Sequence, residues 1–258
     1  MLDLIELDDL KNIAKRAGEE ILSVYGSEFS VDVKEDQSPL TEADRRANAV
    51  IVEALKAQYP DIPIISEETA AEDYSVRKDW AYFWLVDPLD GTREFIKRNG
   101  EFTVNIALIH RNTPVIGIVY QPVGENLYWA KAGQHAWKSV SGGDPVRLQG
   151  GRHYLEKEDI RVVASRSHLT DEVKKFVEDL EAGGKTVQFL SAGSSLKLCL
   201  VAEGQADVYP RLGPTMEWDT GAAHAIVLEA GRRVLRHDSR EPLRYNKENL
   251  LNPYFIVE

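Results

Sequence analysis

The sequence predicts an α+β protein in which helices layer against mixed β-sheet. Three observations predict it. Apolar residues recur at helical spacing near the N-terminus, strand-like runs follow one another between about 80 and 137, and strands alternate with helices from about 160 to 231.

Taken in order, residues 7–25 read as a helix, because Leu10, Ile13, Ala14, Ala17, Ile21 and Leu22 fall on one stripe and Gly26 stops it. A second helix starts near Thr41, turns Ala47, Val50, Ile51, Ala54 and Leu55 inward, and is closed by Pro60 and Pro63. "IPIIS" is a short strand that delivers Glu67 and Glu68 at its end. "AYFWLV", "FTVNIALIH", "VIGIVYQP" and "NLYWAKAGQHAW" read as an antiparallel meander with turns at "RNTP" and "VGEN". "SVSGGDPVRLQGG" (139–151) is Gly-rich and marks the seam between an N-terminal α+β subdomain (1–138) and a C-terminal α/β subdomain (139–258). Beyond it, "RVVASRS", "TVQFL" and "ADVYPRL" read as strands. "DEVKKFVEDLEAGG", "SSLKLCLVAEG" and a segment starting near Glu217 read as helices. No internal repeat or low-complexity tract interrupts this pattern.

The composition of the 258 residues, 43% hydrophobic and 28% charged, is that of a globular chain with a sizeable core. A net charge of −11 argues against nucleic-acid polymers and anionic lipid as partners. It leaves room for a small anionic substrate, because a bound cation can invert the local field. The single cysteine, Cys199, lies among Leu196, Leu198 and Leu200 and reads as a buried structural thiol; a disulfide framework is excluded. "MLDLIELDDL" lacks the basic start of a signal peptide, and no apolar run reaches the ~20 residues of a membrane span. The cytoplasm is the expected compartment.

Several acids sit where elements end: Asp44, Glu67, Glu68, Asp87, Asp90 and Asp219. Each has a purely structural reading. Thr41 and Asp44 fit a capping box, Glu67 and Glu68 fit a solvated loop, Asp87 fits the turn at Pro88, Asp90 fits the N-cap of a helix starting at Gly91, and Asp219 fits a helix N-terminus. As a set they fit something else. Converging carboxylates repel and raise one another's pKa, and hard divalent cations such as Mg²⁺ relieve this through oxygen ligands. Amides at Gly91 and Thr92 would suit a phosphate.

"DPLDGTREF" (87–95) with "WDTGAAHAIVLEAG" (218–231), preceded by "LTEAD" (40–44) and "SEE" (66–68), resembles the paired signatures of the inositol monophosphatase superfamily of Mg²⁺-dependent, lithium-sensitive phosphatases. The resemblance spans residues 38–231 and implies a layered αβαβα fold of the inositol monophosphatase/fructose-1,6-bisphosphatase type. "GTREFIKRNGEFTVNIALI" (91–109), "ASRSH" (164–168) and "SAGSSLKLCLVAEGQADVYPRLGPTMEWDT" (191–220) resemble the branch of bacterial 3′(2′),5′-bisphosphate nucleotidases of the CysQ type. That branch implies removal of the 3′-phosphate of adenosine 3′,5′-bisphosphate, extending to the corresponding phosphosulfate, in sulfur metabolism.

Carried over by position, the resemblance makes Glu67, Asp87, Asp90, Asp219 and the Leu89 carbonyl ligands for two or three Mg²⁺ ions. Glu68 and Thr92 would hold the attacking water, with Asp44 accepting a proton through Thr92. Gly91 and Thr92 amides would bind phosphate, and Asp219 would lie near the leaving oxygen. Ser194, Lys197 and Arg211, with Ser165 and His168, would surround the nucleotide. Ser194 and Lys197 are expected on one helix, three residues apart and facing one ligand. The chain departs from the branch at Gly221-Ala222-Ala223 and at "EAGRRV", which keeps helix packing small but places Arg232 at the rim as a modifier of substrate preference.

Other readings share parts of this pattern. Inositol monophosphate or a sugar bisphosphate is the alternative substrate within the superfamily, and a non-catalytic metal- or nucleotide-binding regulator is the alternative of another class. Phosphatases that form an aspartyl-phosphate carry D-x-D-G-T, with acids two apart. Asp87 and Asp90 are three apart, which a regular strand would send to opposite faces.

Overall fold

The computed structural model describes residues 1–27, 30–33, 39–164 and 170–258. It opens with α1 (Leu7–Tyr25), the short antiparallel pair β1 (Val31–Val33) and β2 (Pro39–Thr41), and α2 (Glu42–Gln58). There follow β3 (Ile64–Ser66), α3 (Tyr74–Arg77), β4 (Tyr82–Asp90), α4 (Thr92–Ile96), β5 (Thr103–His110), β6 (Thr113–Gln121), β7 (Asn126–Lys131), β8 (Ala136–Val140) and β9 (Val146–Arg147). The second half contains β10 (Asp159–Ala164), α5 (Asp171–Ala182), β11 (Thr186–Ser191), α6 (Leu196–Ala202), β12 (Tyr209–Arg211), α7 (Trp218–Glu229), β13 (Val234–Arg236) and β14 (Phe255–Val257).

Strands β3 to β9 form one seven-stranded sheet in sequence order. Only the β3–β4 pair is parallel; the rest is the expected meander. The sheet ends at Arg147, inside the 139–151 passage. In the second half β10 and β11 pair in parallel, a bridge from Val162 to Val208 continues the sheet towards β12, and β12–β14–β13 completes it antiparallel.

Side-chain alternation builds the layers. On β5, Ile106 and Leu108 face α1 and α2, while Ala107 and Ile109 face α6, α7 and the second sheet. On the outer face of the second sheet, Ile160, Val162 and Val208 pack against Val177 and Leu180 of α5. The order is therefore α1/α2, sheet, α6/α7, sheet, α5: the layered αβαβα fold. α1 keeps Leu10, Ile13, Ala14, Ala17 and Ile21 of the predicted stripe buried, each large aliphatic contributing ~1.5–3 kcal/mol when fully buried, while Leu22, expected on the same stripe, is exposed.

α7 lies between the two sheets, and every residue from Thr220 to Val227 is buried. It sits so close to β6 that a Cβ on Gly117 would come 2.0 Å from the Ala222 carbonyl oxygen. The small Gly221-Ala222-Ala223 run serves this approach. Arg232 does not reach the substrate rim as expected: it is 5% exposed, packed against Gly150, at the end of α7 opposite Asp219. Cys199 is fully buried, and burial pushes its thiol well up. Among the described residues no helix is long and apolar enough to cross a membrane.

Candidate active site

The strand β4 does not stop before the acids; it runs through them to Asp90. Its register against β5 passes from Asp87↔Asn105 to Asp90↔Thr103, three steps on one strand against two on the other. This β-bulge absorbs one residue, and the face-alternation rule that separates i from i+3 fails there. The Leu89 amide donates to Asp87 Oδ1 at 3.1 Å, fixing the Pro88-Leu89 bend. Gly91 follows with φ +94°, and a Cβ there would come 3.2 Å from both the Glu101 carbonyl oxygen and Ser194 Cβ. Asp90 is not the N-cap: Gly91 occupies that position and α4 starts at Thr92.

Asp219 joins from the first turn of α7, where the Met216 amide donates to its Oδ2 at 2.8 Å. The Asn252 side chain holds this turn by donating to the Met216 carbonyl and to Thr220 Oγ1. Carboxylate oxygens of Asp87, Asp90 and Asp219 lie within 4.8 Å of one another. Glu67 follows β3, its amide donating to the Val86 carbonyl, and its carboxylate is one of the neighbours that raise the pKa of Asp87. Ser66 donates to Asn48 Oδ1 and accepts from the Glu68 amide, so both glutamates leave a fixed point and are half-buried.

Burial, then the charges of Glu67, Asp90 and Asp219, push Asp87 well above the usual carboxylate range. Burial raises Asp219 to about 7, with Asp90 the next cause. Burial likewise raises Asp90 to about 6, against the lowering effects of Lys197, the Ser195 amide and Asn105. Buried Asp87 beside half-buried Asp90 and Asp219, a set of hard oxygen donors that repel one another and remain open to the cleft, fits a divalent cation.

Asp44 is 1% exposed at the third position of α2. The predicted capping box is present: Thr41 donates to Asp44 Oδ2 through its amide at 2.7 Å and its hydroxyl at 2.6 Å. The other oxygen, Oδ1, accepts from Thr92 Oγ1 at 3.4 Å, and Thr92 also reaches the Leu89 carbonyl at 3.4 Å. The structural and the chemical readings of Asp44 therefore coexist on different oxygens.

Ser194 and Lys197 do meet, but not as helix neighbours. α6 begins at Leu196, and Ser194 stands before it in a turn with φ 43°. Lys197, 7% exposed, curls back to donate to the Ser194 carbonyl at 2.7 Å. Burial lowers its ammonium to about 8, although Asp90 favours the charged form. Arg211 ends β12 and donates to the Pro214 carbonyl at 2.7 Å, while its Nε is buried with no hydrogen-bond partner. Asp90, Gly91, Ser194, Lys197, Arg211 and Asp219 line a single cleft of about 380 Å³. Arg93, Tyr209 and Arg211 also line an adjoining pocket of about 470 Å³, walled by Val173, Pro210, Leu212 and Pro214. Ser165 and His168 lie outside the described residues.

The sequence reading missed other parts of the cleft wall, among them Arg93, Glu94 and Lys97 of the α4 segment, Tyr209, Thr215 and Phe255. Arg93 and Lys97 are visible in the sequence only as two cations four apart, a pattern common on any solvated helix. Phe255 enters through β14, near the end of the chain, where no motif pointed.

Residues 4–254 match the inositol monophosphatase family. The chain is 48% identical to the 3′(2′),5′-bisphosphate nucleotidase CysQ of Salmonella typhimurium, covering 97% of this chain and 98% of that one. Identity and coverage are the same for the protein of that name from Escherichia coli K12. The crystal structure of CysQ from Bacteroides thetaiotaomicron, a bacterial member of the inositol monophosphatase family, superposes with a TM-score of 0.85 at 47% identity, covering 97% of this chain and 96% of that one. Matched along almost its whole length and carrying the acidic set at the ends of β3, β4 and the start of α7, the chain belongs to the inositol monophosphatase family and is a phosphatase.

Proposed function

We propose that this phosphatase removes the 3′-phosphate of adenosine 3′,5′-bisphosphate, giving AMP and phosphate, and acts likewise on the 5′-phosphosulfate analogue, in sulfur metabolism, with Mg²⁺ as cofactor and Li⁺ as inhibitor. The observation that carries the substrate reading is the cleft itself. It is lined by the acids Asp90 and Asp219, by the cations Lys197 and Arg211, and through Arg93, Tyr209 and Arg211 it adjoins an apolar-walled pocket. A substrate that fits all three parts carries one phosphate to be cleaved, a second to be held, and an apolar body such as a nucleoside. The names of the relatives at 48% identity agree with it.

Glu67, Asp87, Asp90, Asp219 and the Leu89 carbonyl would hold the Mg²⁺ ions. Bound there, the cations would neutralise the phosphate and lower the pKa of water. The protein's own groups do the rest. Gly91 and Thr92 amides orient the phosphate beside the acids. Thr92 Oγ1, bonded to Asp44 Oδ1, positions the attacking water with Glu68, and its proton passes through the hydroxyl to Asp44. Asp44 Oδ2 stays engaged by Thr41, so Oδ1 is the oxygen that accepts. Asp219 stands where the ester oxygen departs, and Ser194, Lys197 and Arg211 hold the nucleotide.

Phosphate release should be measured on adenosine 3′,5′-bisphosphate, inositol 1-phosphate and fructose 1,6-bisphosphate with Mg²⁺, and repeated with Li⁺. Preference for the nucleotide, lost on chelation, is the expected result. Preference for inositol 1-phosphate or the sugar bisphosphate would overturn the substrate reading.

A further inference from the structure

Asp90 is held by one backbone amide and one side chain, of residues to which the sequence assigned no role. Its Oδ2 accepts from the Ser195 amide at 2.6 Å and from Asn105 Nδ2 at 3.3 Å. Asn105 is 1% exposed, and its orientation is dictated from behind. Ser195 Oγ donates to Asn105 Oδ1 at 2.9 Å and Thr103 Oγ1 donates to it at 3.1 Å. An ionised carboxylate only accepts, so the NH₂ end of the amide must face Asp90 and the carbonyl oxygen falls to the two hydroxyls, which can donate to it. Thr103 and Ser195 hydroxyls are themselves 2.9 Å apart, and both residues are buried. The network faces the cleft at two points: it places the Asp90 carboxylate through the Asn105 amide, and Thr103 Oγ1 lies 3.3 Å from Ser194 Oγ.

We propose that Asn105 is a positioning residue for Asp90, acting with Ser195 and Thr103 to set the affinity of the acidic site for its divalent cation. The proposal rests on the reading of Asp90 as a metal ligand. The fold supplies the reason. Asp90 follows a bulge, where strand pairing no longer fixes the side chain, and its neighbour Gly91 is left-handed. Asn105 lies on the regular part of β5, opposite Asp87, and so transfers the rigidity of the sheet to the irregular segment. Ser195 adds a second anchor from the turn whose Ser194 carbonyl receives Lys197. Amides and hydroxyls that orient metal-ligating groups typically change metal affinity or activity by ~10–100-fold when removed.

The test is a Mn²⁺ titration of the substrate-free protein, by calorimetry or by electron paramagnetic resonance of free Mn²⁺, on wild type, Asp90→Ala, Asn105→Ala and Ser195→Ala. Asn105→Ala should weaken Mn²⁺ binding about 10-fold or more. Ser195→Ala keeps the amide bond to Asp90 and should weaken it only about 5-fold, the worth of one neutral hydrogen bond. At saturating Mg²⁺ both variants should keep KM for the nucleotide within about two-fold of wild type while the half-saturating Mg²⁺ rises, a split that general destabilisation would not give. Mn²⁺ affinity within about two-fold of wild type in folded Asn105→Ala would overturn the proposal, as would equal losses in KM and metal affinity. Should Asn105→Ala fail to fold, Ser195→Ala carries the same two readings. Wild type and Asp90→Ala binding Mn²⁺ alike would instead sink the assignment of Asp90 as a ligand.

Discussion

Asp87 and Asp90 share one site because β4 holds one more residue between them than β5 holds between their pairing partners, Asn105 and Thr103. Their oxygens lie within 4.8 Å, with Asp219 completing the group. This proximity is unfavourable without a cation. Replacing Asp87 by Asn should therefore raise the melting temperature measured in EDTA at pH 8. Activity should fall by about 100-fold or more with the loss of a ligand. Paired differential scanning fluorimetry and phosphate-release assays check both halves; a variant less stable in EDTA than wild type would contradict the repulsion.

The same repulsion sets a pH dependence. The folded-state pKa values of Asp87, Asp90 (about 6) and Asp219 (about 7) lie above the ~3.9 of an unfolded aspartate. The folded state thus binds more protons in that interval, and stability falls as pH rises through it. His224 works the other way. Burial lowers it to about 3, so its contribution grows between ~3 and ~6.5. Above pH 6.5 the acids dominate. Without divalent cations the melting temperature should fall from pH 6.5 to 7.5, and Asp219→Asn should flatten the fall. Mg²⁺ should restore stability at the upper end.

Lys197 is nine-tenths buried beside Asp90 and lowered to about 8 by that burial. An anionic substrate group placed against it would further favour its charged form. Lys197→Met, close in volume, should raise KM for adenosine 3′,5′-bisphosphate by about 10- to 100-fold, the worth of a charged hydrogen bond. Turnover of a small monoester without a second phosphate should change little. Steady-state kinetics on the two substrates separate the outcomes; equal losses on both would remove Lys197 from substrate recognition.

Gly91→Ala tests the turn between Asp90 and Thr92. At φ +94° an alanine is strained, and its Cβ meets Glu101 and Ser194. A loss of about 1–3 kcal/mol in urea unfolding is expected, with a larger proportional loss of activity because Thr92 moves relative to Asp44. Unchanged stability would mean the turn relaxes freely.

Legible in the sequence were α1 over 7–25, the meander, the capping box at Thr41 and Asp44, and the three aspartates, Asp87, Asp90 and Asp219, whose oxygens come together. These follow from periodicity, side-chain chemistry and motif spacing, all of which are local. Tertiary structure alone decided how the acids meet. The bulge that realigns Asp90 depends on pairing with β5, and the turn at Ser194 replaces the helix that local pattern suggested. The hold of Asn105 and Ser195 on Asp90 joins segments far apart in the chain, as does the buttressing of Asp219 by Asn252. Arg232 shows the converse: its charge suggested an exposed rim, yet packing at the far end of α7 buried it against Gly150. Contacts between distant segments have no period and no spacing, so only the folded chain reveals which residues steady the acidic site.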